Sequence, residues 1–219
     1  MKNLILSSLL LLLLGGCSGS RFYRLQRMPE TAISKNHILP WFQGDTIRFL
    51  FRAHVEFHRH QLGGLMLIKS MNKESYRVLF MTEVGIKIFD MEFFRSGDFK
   101  LHYLLDAMKR KSLLESLKND MGLILYPVGG DTQIEMRKDR ETGNVVIQSM
   151  NRNGVNYFFI NEQNRVNKIK QRDGCIQRMN MTLYSADSRE IDSIRICHSP
   201  VKMNIYLSKL NENRSEVSE

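Results

Sequence analysis

Three histidines and a glutamate occupy every second position near the start of a long apolar stretch. They are His54, Glu56, His58 and His60. A regular β-strand sends alternate side chains to one face, so the four would present imidazole nitrogens and a carboxylate to a metal such as zinc. Neighbouring members would lie about 7 Å apart, so a pair could share a metal but all four could not without a bend. A solvated strand face is the alternative, and zinc is not the favoured interpretation.

Two cysteines in the last third of the chain are candidates for a disulfide. Cys175 and Cys197 flank a predicted hairpin, and they would face each other if its turn were centred on Ala186. The apolar pattern predicts a different register, because pairing Met181 with Ile196 requires an odd sum of residue numbers. That register places the two cysteines on opposite faces. The sequence therefore leaves the disulfide open.

The N-terminus has the pattern of an export signal. Lys2 precedes an apolar run that ends at Leu14. The run covers roughly 11 positions, fewer than the ~20 that a membrane-spanning helix needs. The segment Leu14-Gly15-Gly16-Cys17 resembles the bacterial lipobox, whose cysteine receives a diacylglycerol and becomes the acylated N-terminus after cleavage. We therefore expect residues 1–16 to be a removed signal peptide and Cys17 to carry the lipid that anchors the chain.

Composition indicates which partners are compatible with the chain. Its 219 residues include 32 Lys+Arg and 23 Asp+Glu, a formal net charge of +9, which favours the anionic headgroups of membrane lipids. Export removes nucleic acid from the available partners. No nucleophile elbow, phosphate-binding loop or dinucleotide glycine pattern occurs, so we do not expect an enzyme. Apart from the covalent lipid on Cys17, no cofactor is expected.

The elements that would position these residues are mostly strands. From Thr46 onward, short β-branched and aromatic runs alternate with turn residues, which is typical of an antiparallel meander. Strands are predicted near residues 46–58, 62–69, 75–82, 85–93, 98–104, 131–137, 144–150, 154–161, 165–172, 175–184, 191–198 and 201–208. About 11 to 12 such strands should curl into an incomplete β-barrel rather than stay flat. We expect one domain over residues 46–208, a tether at 17–45 and a flexible polar tail at 209–219.

One interruption of the strand pattern is helical, so the predicted fold class is mainly β with inserted helices (α+β). Residues 106–121 place apolar side chains at the spacing of one helix face. These side chains are Met108, Leu113, Leu114, Leu117 and Met121. Ser112 with Glu115 fits a capping box, so the segment is predicted to be either one kinked helix or two short ones. Because the concave apolar face of a curled sheet must be covered, this segment is the predicted lid.

The apolar face of the predicted sheet is the candidate ligand cavity. Its candidates are Phe49, Phe51, Val55, Phe57, Val78, Phe80, Tyr157, Phe159, Met179 and Met181. Methionine side chains repack around different shapes at low cost, which suits a variable acyl chain. The same stripe also fits a plain packed core. The sequence leaves open whether the space is an open cavity or filled.

The lipobox, tether, curled sheet and mid-sheet helices together resemble the LolA/LolB-type lipoprotein carriers and receptors. The stretch at 57–69 and the pattern Glu83-Val84-Gly85-Ile86-Lys87 are similar to such outer-membrane lipoproteins. The resemblance implies an incomplete β-barrel whose helix-covered concave face holds lipid or lipoprotein acyl chains. It also implies a lipid anchor in the outer membrane, facing the periplasm, since Ser18 replaces the aspartate of inner-membrane retention. The alternative is a structural or interaction lipoprotein with a filled core, contacting envelope protein partners.

Overall fold

The computed structural model describes most of the chain. It covers residues 25–28, 38–42, 48–71, 74–127, 134–151, 154–187, 190–199 and 202–210. The signal segment, Cys17 and the last nine residues of the predicted tail lie outside the described residues.

The described residues form one antiparallel sheet of thirteen strands. The strands are β1 (Leu25–Arg27), β2 (Arg48–Phe57), β3 (His60–Met71), β4 (Ser75–Met81), β5 (Lys87–Phe94), β6 (Phe99–Leu104), β7 (Ile134–Asp139), β8 (Val145–Asn151), β9 (Gly154–Ile160), β10 (Val166–Asp173), β11 (Ile176–Tyr184), β12 (Ser193–His198) and β13 (Met203–Lys209). Twelve of them correspond to the predicted strands. The prediction of a mainly β, curled antiparallel sheet with a helical insertion is confirmed.

The strand order shows how the chain closes most of the sheet. Strands β7 to β13 follow in sequence order, β13 then pairs with β2, and the sheet continues to β6. The final strand thus joins the two runs of the meander, while β1 and β6 are the two edges. Alternate turns of a meander lie at the same end of a sheet. The β2–β3 turn at His58 and Arg59 and the β4–β5 turn therefore share one end, which we call the cavity end.

Local sequence explains the two faces of β2 and a close approach between β3 and β4. Side chains of β2 alternate between buried Phe49 and Phe51 and exposed Arg48 and Arg52, so one face is apolar and the other solvated. On β3, a Cβ added at Gly64 would lie 2.1 Å from the carbonyl oxygen of Met81. Glycine is required there because the β4 backbone passes so close.

Helical structure follows β6. A 3-10 helix, Asp106–Met108, leads into an α-helix that we call α1, Lys111–Leu125. Residue Arg110 is the N-cap, so the Ser112 capping box is not used, and α1 continues through Gly122. The buried side chains that follow explain the continuation, because their burial outweighs the ~1 kcal/mol propensity cost of one glycine. Of the helices in the described ranges, none has the length and apolarity to cross a membrane.

The end of the sheet opposite the cavity end is closed by residues upstream of β2. Trp41 and Phe42 are buried, and the Trp41 indole Nε1 donates a 2.6 Å hydrogen bond to the carbonyl oxygen of Val166. The Tyr76 hydroxyl donates to the carbonyl oxygen of Phe42, also at 2.6 Å. Because β1 also pairs with β7, the folded body includes parts of the segment predicted as a tether.

Candidate ligand-binding site

An apolar cavity of about 580 Å³ lies between the sheet and the start of the helical segment. This volume falls within the range of small-molecule pockets, about 300–1,000 Å³. The sheet contributes Val55, Phe57, His58, His60, Leu62, Met66, Phe80, Phe89, Met203 and Ile205. The helical segment contributes Ala107, Met108, Arg110, Leu113 and Leu117. Strands β2 to β5 and β13 thus form the floor, and the 3-10 helix with the first half of α1 forms the cover.

Three of the predicted cavity side chains line this space: Val55, Phe57 and Phe80. Five others are buried in the core but do not line the cavity. They are Phe49, Phe51, Val78, Met179 and Met181. Strand alternation correctly places these five residues on the inner face. They do not line the cavity because other core side chains fill the space around them.

Tyr157 and Phe159 require a correction. On β9 the buried positions are Asn156, Phe158 and Ile160, so the two aromatic rings point to the opposite, outer face. The Lys170 ammonium lies 5.4 Å from the centre of the Phe159 ring. The predicted phase of β9 was wrong because Asn156 is polar, yet its amide is buried and accepts a hydrogen bond from Gln171.

The predicted lid residues divide into three groups. Met108, Leu113 and Leu117 line the cavity. Leu114 lies instead in a separate surface groove beside β6. Met121 is fully buried in the core. One apolar helix face thus covers the cavity at its start and enters packed core further along.

The mouth of the cavity carries the histidines that were metal candidates. β2 ends at Phe57, and His58 adopts a φ of 55° in the turn. His60 pairs with Phe57 across the β2–β3 hairpin and shares its inner face, whereas His54 lies on the outer face, 3.6 Å from Glu56. The turn therefore breaks the single face that the zinc hypothesis needs. Among the described residues, no group of three His, Cys, Asp or Glu side chains could hold a metal.

The mouth also contains residues that sequence reasoning did not select. Arg110 and Ala107 line it together with His58 and His60. No side chain caps the amino-terminal end of α1, and its first turn contains no acidic residue. The alternation of β2 could have located Leu62, since a hairpin turn at His58 places it opposite Val55. Arg110 gave no signal, because its position depends on how the helix crosses the sheet.

The second half of α1 is held by buried polar contacts. Asp120 is fully buried, and its Oδ2 lies 2.9 Å from Nε2 of His198 at the end of β12. Burial raises the pKa of the Asp120 carboxyl, although the hydrogen bond with His198 opposes that shift. The neighbouring Asn119 amide exchanges hydrogen bonds of 3.3 and 3.4 Å with Gln171 on β10. These contacts fix α1 to β10 and β12, which do not line the cavity.

Cys175 and Cys197 are free thiols, so the disulfide alternative is wrong. Cys197 pairs with Asn180 across β11 and β12, and Cys175 lies in the turn before β11. The observed register is the odd one, with Met181 opposite Ile196. The apolar pattern, rather than pairing of the cysteines, determines the register of this hairpin.

Comparison with known proteins identifies the class of fold. A LolA superfamily protein from Nitrosomonas europaea superposes with a TM-score of 0.52 at 9% identity, covering 78% of this chain and 86% of that one. A domain assigned as an outer membrane lipoprotein-sorting protein, from Vibrio parahaemolyticus, gives 0.54 at 11% identity, covering 84% and 91%. No family model and no curated protein sequence matches the chain. The protein has a LolA-like fold.

Proposed function

We propose that this protein binds an acyl chain of a lipid or lipoprotein in the cavity beneath α1, as a carrier or receptor of the bacterial envelope. The observation that supports the proposal is the apolar 580 Å³ cavity itself, between a concave sheet and a helical cover. Each CH₂ that an acyl chain buries there contributes about 0.8 kcal/mol. The LolA-like fold supports the same proposal by analogy with proteins of lipoprotein sorting.

Two exposed apolar side chains support an approach to a lipid surface. Val84 and Ile86, in the β4–β5 turn, are 83% and 55% exposed. This turn lies at the cavity end of the sheet, so its apolar tip and the cavity mouth share one end of the molecule. An apolar tip beside the cavity mouth suits contact with a membrane from which a lipid enters or leaves.

Binding of an apolar fluorescent probe to the folded protein tests the cavity directly. We expect saturable binding that weakens about tenfold in Ala107→Trp, because the exposed Ala107 lines the mouth and an indole would fill it. Leu113→Glu should also weaken binding, since it places an unpaired carboxylate against the apolar ligand. The matched control is Leu114→Glu, one residue along the same helix and outside the cavity. Equal loss in both glutamate variants would indicate damage to the helix rather than to a site.

Absence of saturable binding to the folded, unmodified protein would contradict the carrier proposal. The chain would then be better explained as an interaction lipoprotein with a cavity that no lipid uses. Thermal melting of each variant separates damage to the site from loss of folding. A variant that alters only the site must keep the melting temperature of the parent protein to within a few degrees.

The proposed membrane position depends on lipidation of Cys17. We expect Cys17→Ser to release the protein from the membrane fraction, since the acyl chains provide the stable attachment. Membrane fractions washed with high salt provide the measurement, because salt removes proteins held only by charge. Retention of the variant in washed outer membranes would show that another feature anchors the chain.

A further inference from the structure

The mouth of the apolar cavity is positively charged. Among the side chains that line the cavity, the charged or titratable ones are Arg110, His58 and His60, and none is a carboxylate. Arg110 is exposed and forms no ion pair with another residue of the described ranges. An unpaired guanidinium at the entrance of an apolar space is available to a ligand atom of opposite charge.

The surroundings of the mouth do not cancel this charge. Exposed Arg59 lies in the same turn as His58, and the carbonyl oxygen of exposed Lys202 accepts a 2.9 Å hydrogen bond from the His58 backbone N–H. The nearby carboxylate of Asp106 is already paired with Lys109, at 2.6 Å. The carboxylates of Glu83 in the β4–β5 turn and Glu56 on the outer face of β2 offset part of this charge. Because Arg110, Arg59 and Lys202 outnumber them, the entrance has a net positive charge.

The size of the cavity limits the apolar part of its ligand. A methylene group is similar in size to a water molecule, which occupies about 30 Å³ in the liquid. The 580 Å³ cavity thus has room for about 20 such groups. That capacity suits one ordinary acyl chain.

We propose that the preferred ligand is a single-chain lipid with an anionic headgroup, its acyl chain in the cavity and its phosphate or carboxylate on Arg110. This inference rests on the proposed function and specifies its ligand class. The headgroup lies at the mouth because a charge within the apolar space would lose its hydration without a partner. Arg110 offers a planar pair of donors that fits a phosphate or carboxylate in a bidentate geometry.

Calorimetric titration with two lysophospholipids, each kept below its critical micelle concentration, tests this proposal. Palmitoyl lysophosphatidylglycerol carries a net negative charge, and palmitoyl lysophosphatidylcholine has the same chain with no net charge. We expect the unmodified protein to bind the anionic lipid about tenfold more tightly, and Arg110→Glu to remove that preference. Glycerol phosphate alone should not bind measurably, because the acyl chain provides most of the affinity.

A charge-matched control separates local contact from net charge. Arg140→Glu makes the same change in net charge in the turn after β7, far from the mouth, and should keep the preference. Equal affinity of the unmodified protein for both lipids would overturn the inference and leave the cavity proposal intact. An equal loss of the preference in Arg140→Glu, or tight binding of glycerol phosphate alone, would also overturn it. Failure of the unmodified protein to bind either lipid would contradict the proposed function itself.

Discussion

The two halves of α1 have similar apolar faces but meet different surroundings. In the first half, Leu113 and Leu117 face a cavity of about 580 Å³. In the second half, Met121 and Ile124 are almost completely buried in packed core, and Asp120 is bound to His198. The same periodicity therefore produces a cover over a cavity and a conventional core helix within fifteen residues.

The difference lies in what the sheet presents to each half. Beneath the second half, Gln171 and His198 supply polar contacts that fix the helix at one height above the sheet. Beneath the first half, the floor is mainly apolar, and its polar members His58 and His60 lie at the mouth. A helix fixed at one end can span a cavity at the other, because its backbone hydrogen bonds hold it straight without support from below.

Truncation of one side chain in each half should separate their roles most clearly. Met121→Ala removes a fully buried side chain from packed core, so we expect a loss of about 3 kcal/mol in unfolding free energy. Leu113→Ala removes a half-buried side chain that borders existing empty space, and about 1 kcal/mol is expected. Urea denaturation measures both. Equal losses would show that the cavity half of α1 is packed as tightly as the core half.

The sequence predicted the strands of the sheet better than it predicted which side chains line the cavity. Strand positions follow from alternation and turn residues, and these local signals placed twelve strands and a helical insertion correctly. Strand β1 was not predicted, because three residues at an edge carry too little pattern. The continuation of α1 through Gly122 was also missed, since the burial of Leu123 and Leu125 depends on tertiary packing.

The candidate site was less predictable for a physical reason. Alternation indicates which face of a strand is apolar. Whether a cavity remains there depends on how completely the side chains fill the enclosed space. Phe51 and Phe57 belong to one face of β2, yet only Phe57 lines the cavity. Tyr157 shows a further limit, because the buried amide of Asn156 reverses the apparent phase of its strand. The position of Arg110 at the mouth depends on contacts between segments distant in sequence.

Two buried aspartates, Asp90 beside the cavity and Asp120 in the second half of α1, should differ in how their contribution to stability depends on pH. On the outer face of β5, in the cavity half of the sheet, a bidentate hydrogen bond with Arg77 and the nearby Lys87 lower the pKa of Asp90. Its stabilising contribution is therefore present above its ordinary pKa near 4 and is lost as the pH falls through the lower folded-state value. Burial instead raises the pKa of Asp120. Its contribution is greatest below the ordinary value and is lost as the pH rises through the raised one.

Substitution by asparagine should therefore have opposite pH dependences at the two positions. We expect Asp90→Asn to cost about 1 kcal/mol near neutral pH, a value limited by the partly exposed Arg77, and less below pH 4. The cost of Asp120→Asn should instead decrease from pH 4 to pH 7, because the amide cannot ionise whereas the buried carboxyl must. Urea denaturation of the parent and both variants between pH 3 and 7 gives the two slopes. Slopes of the same sign would show that His198, rather than burial, determines the protonation of Asp120 and that the polar anchor of α1 behaves as an ordinary ion pair.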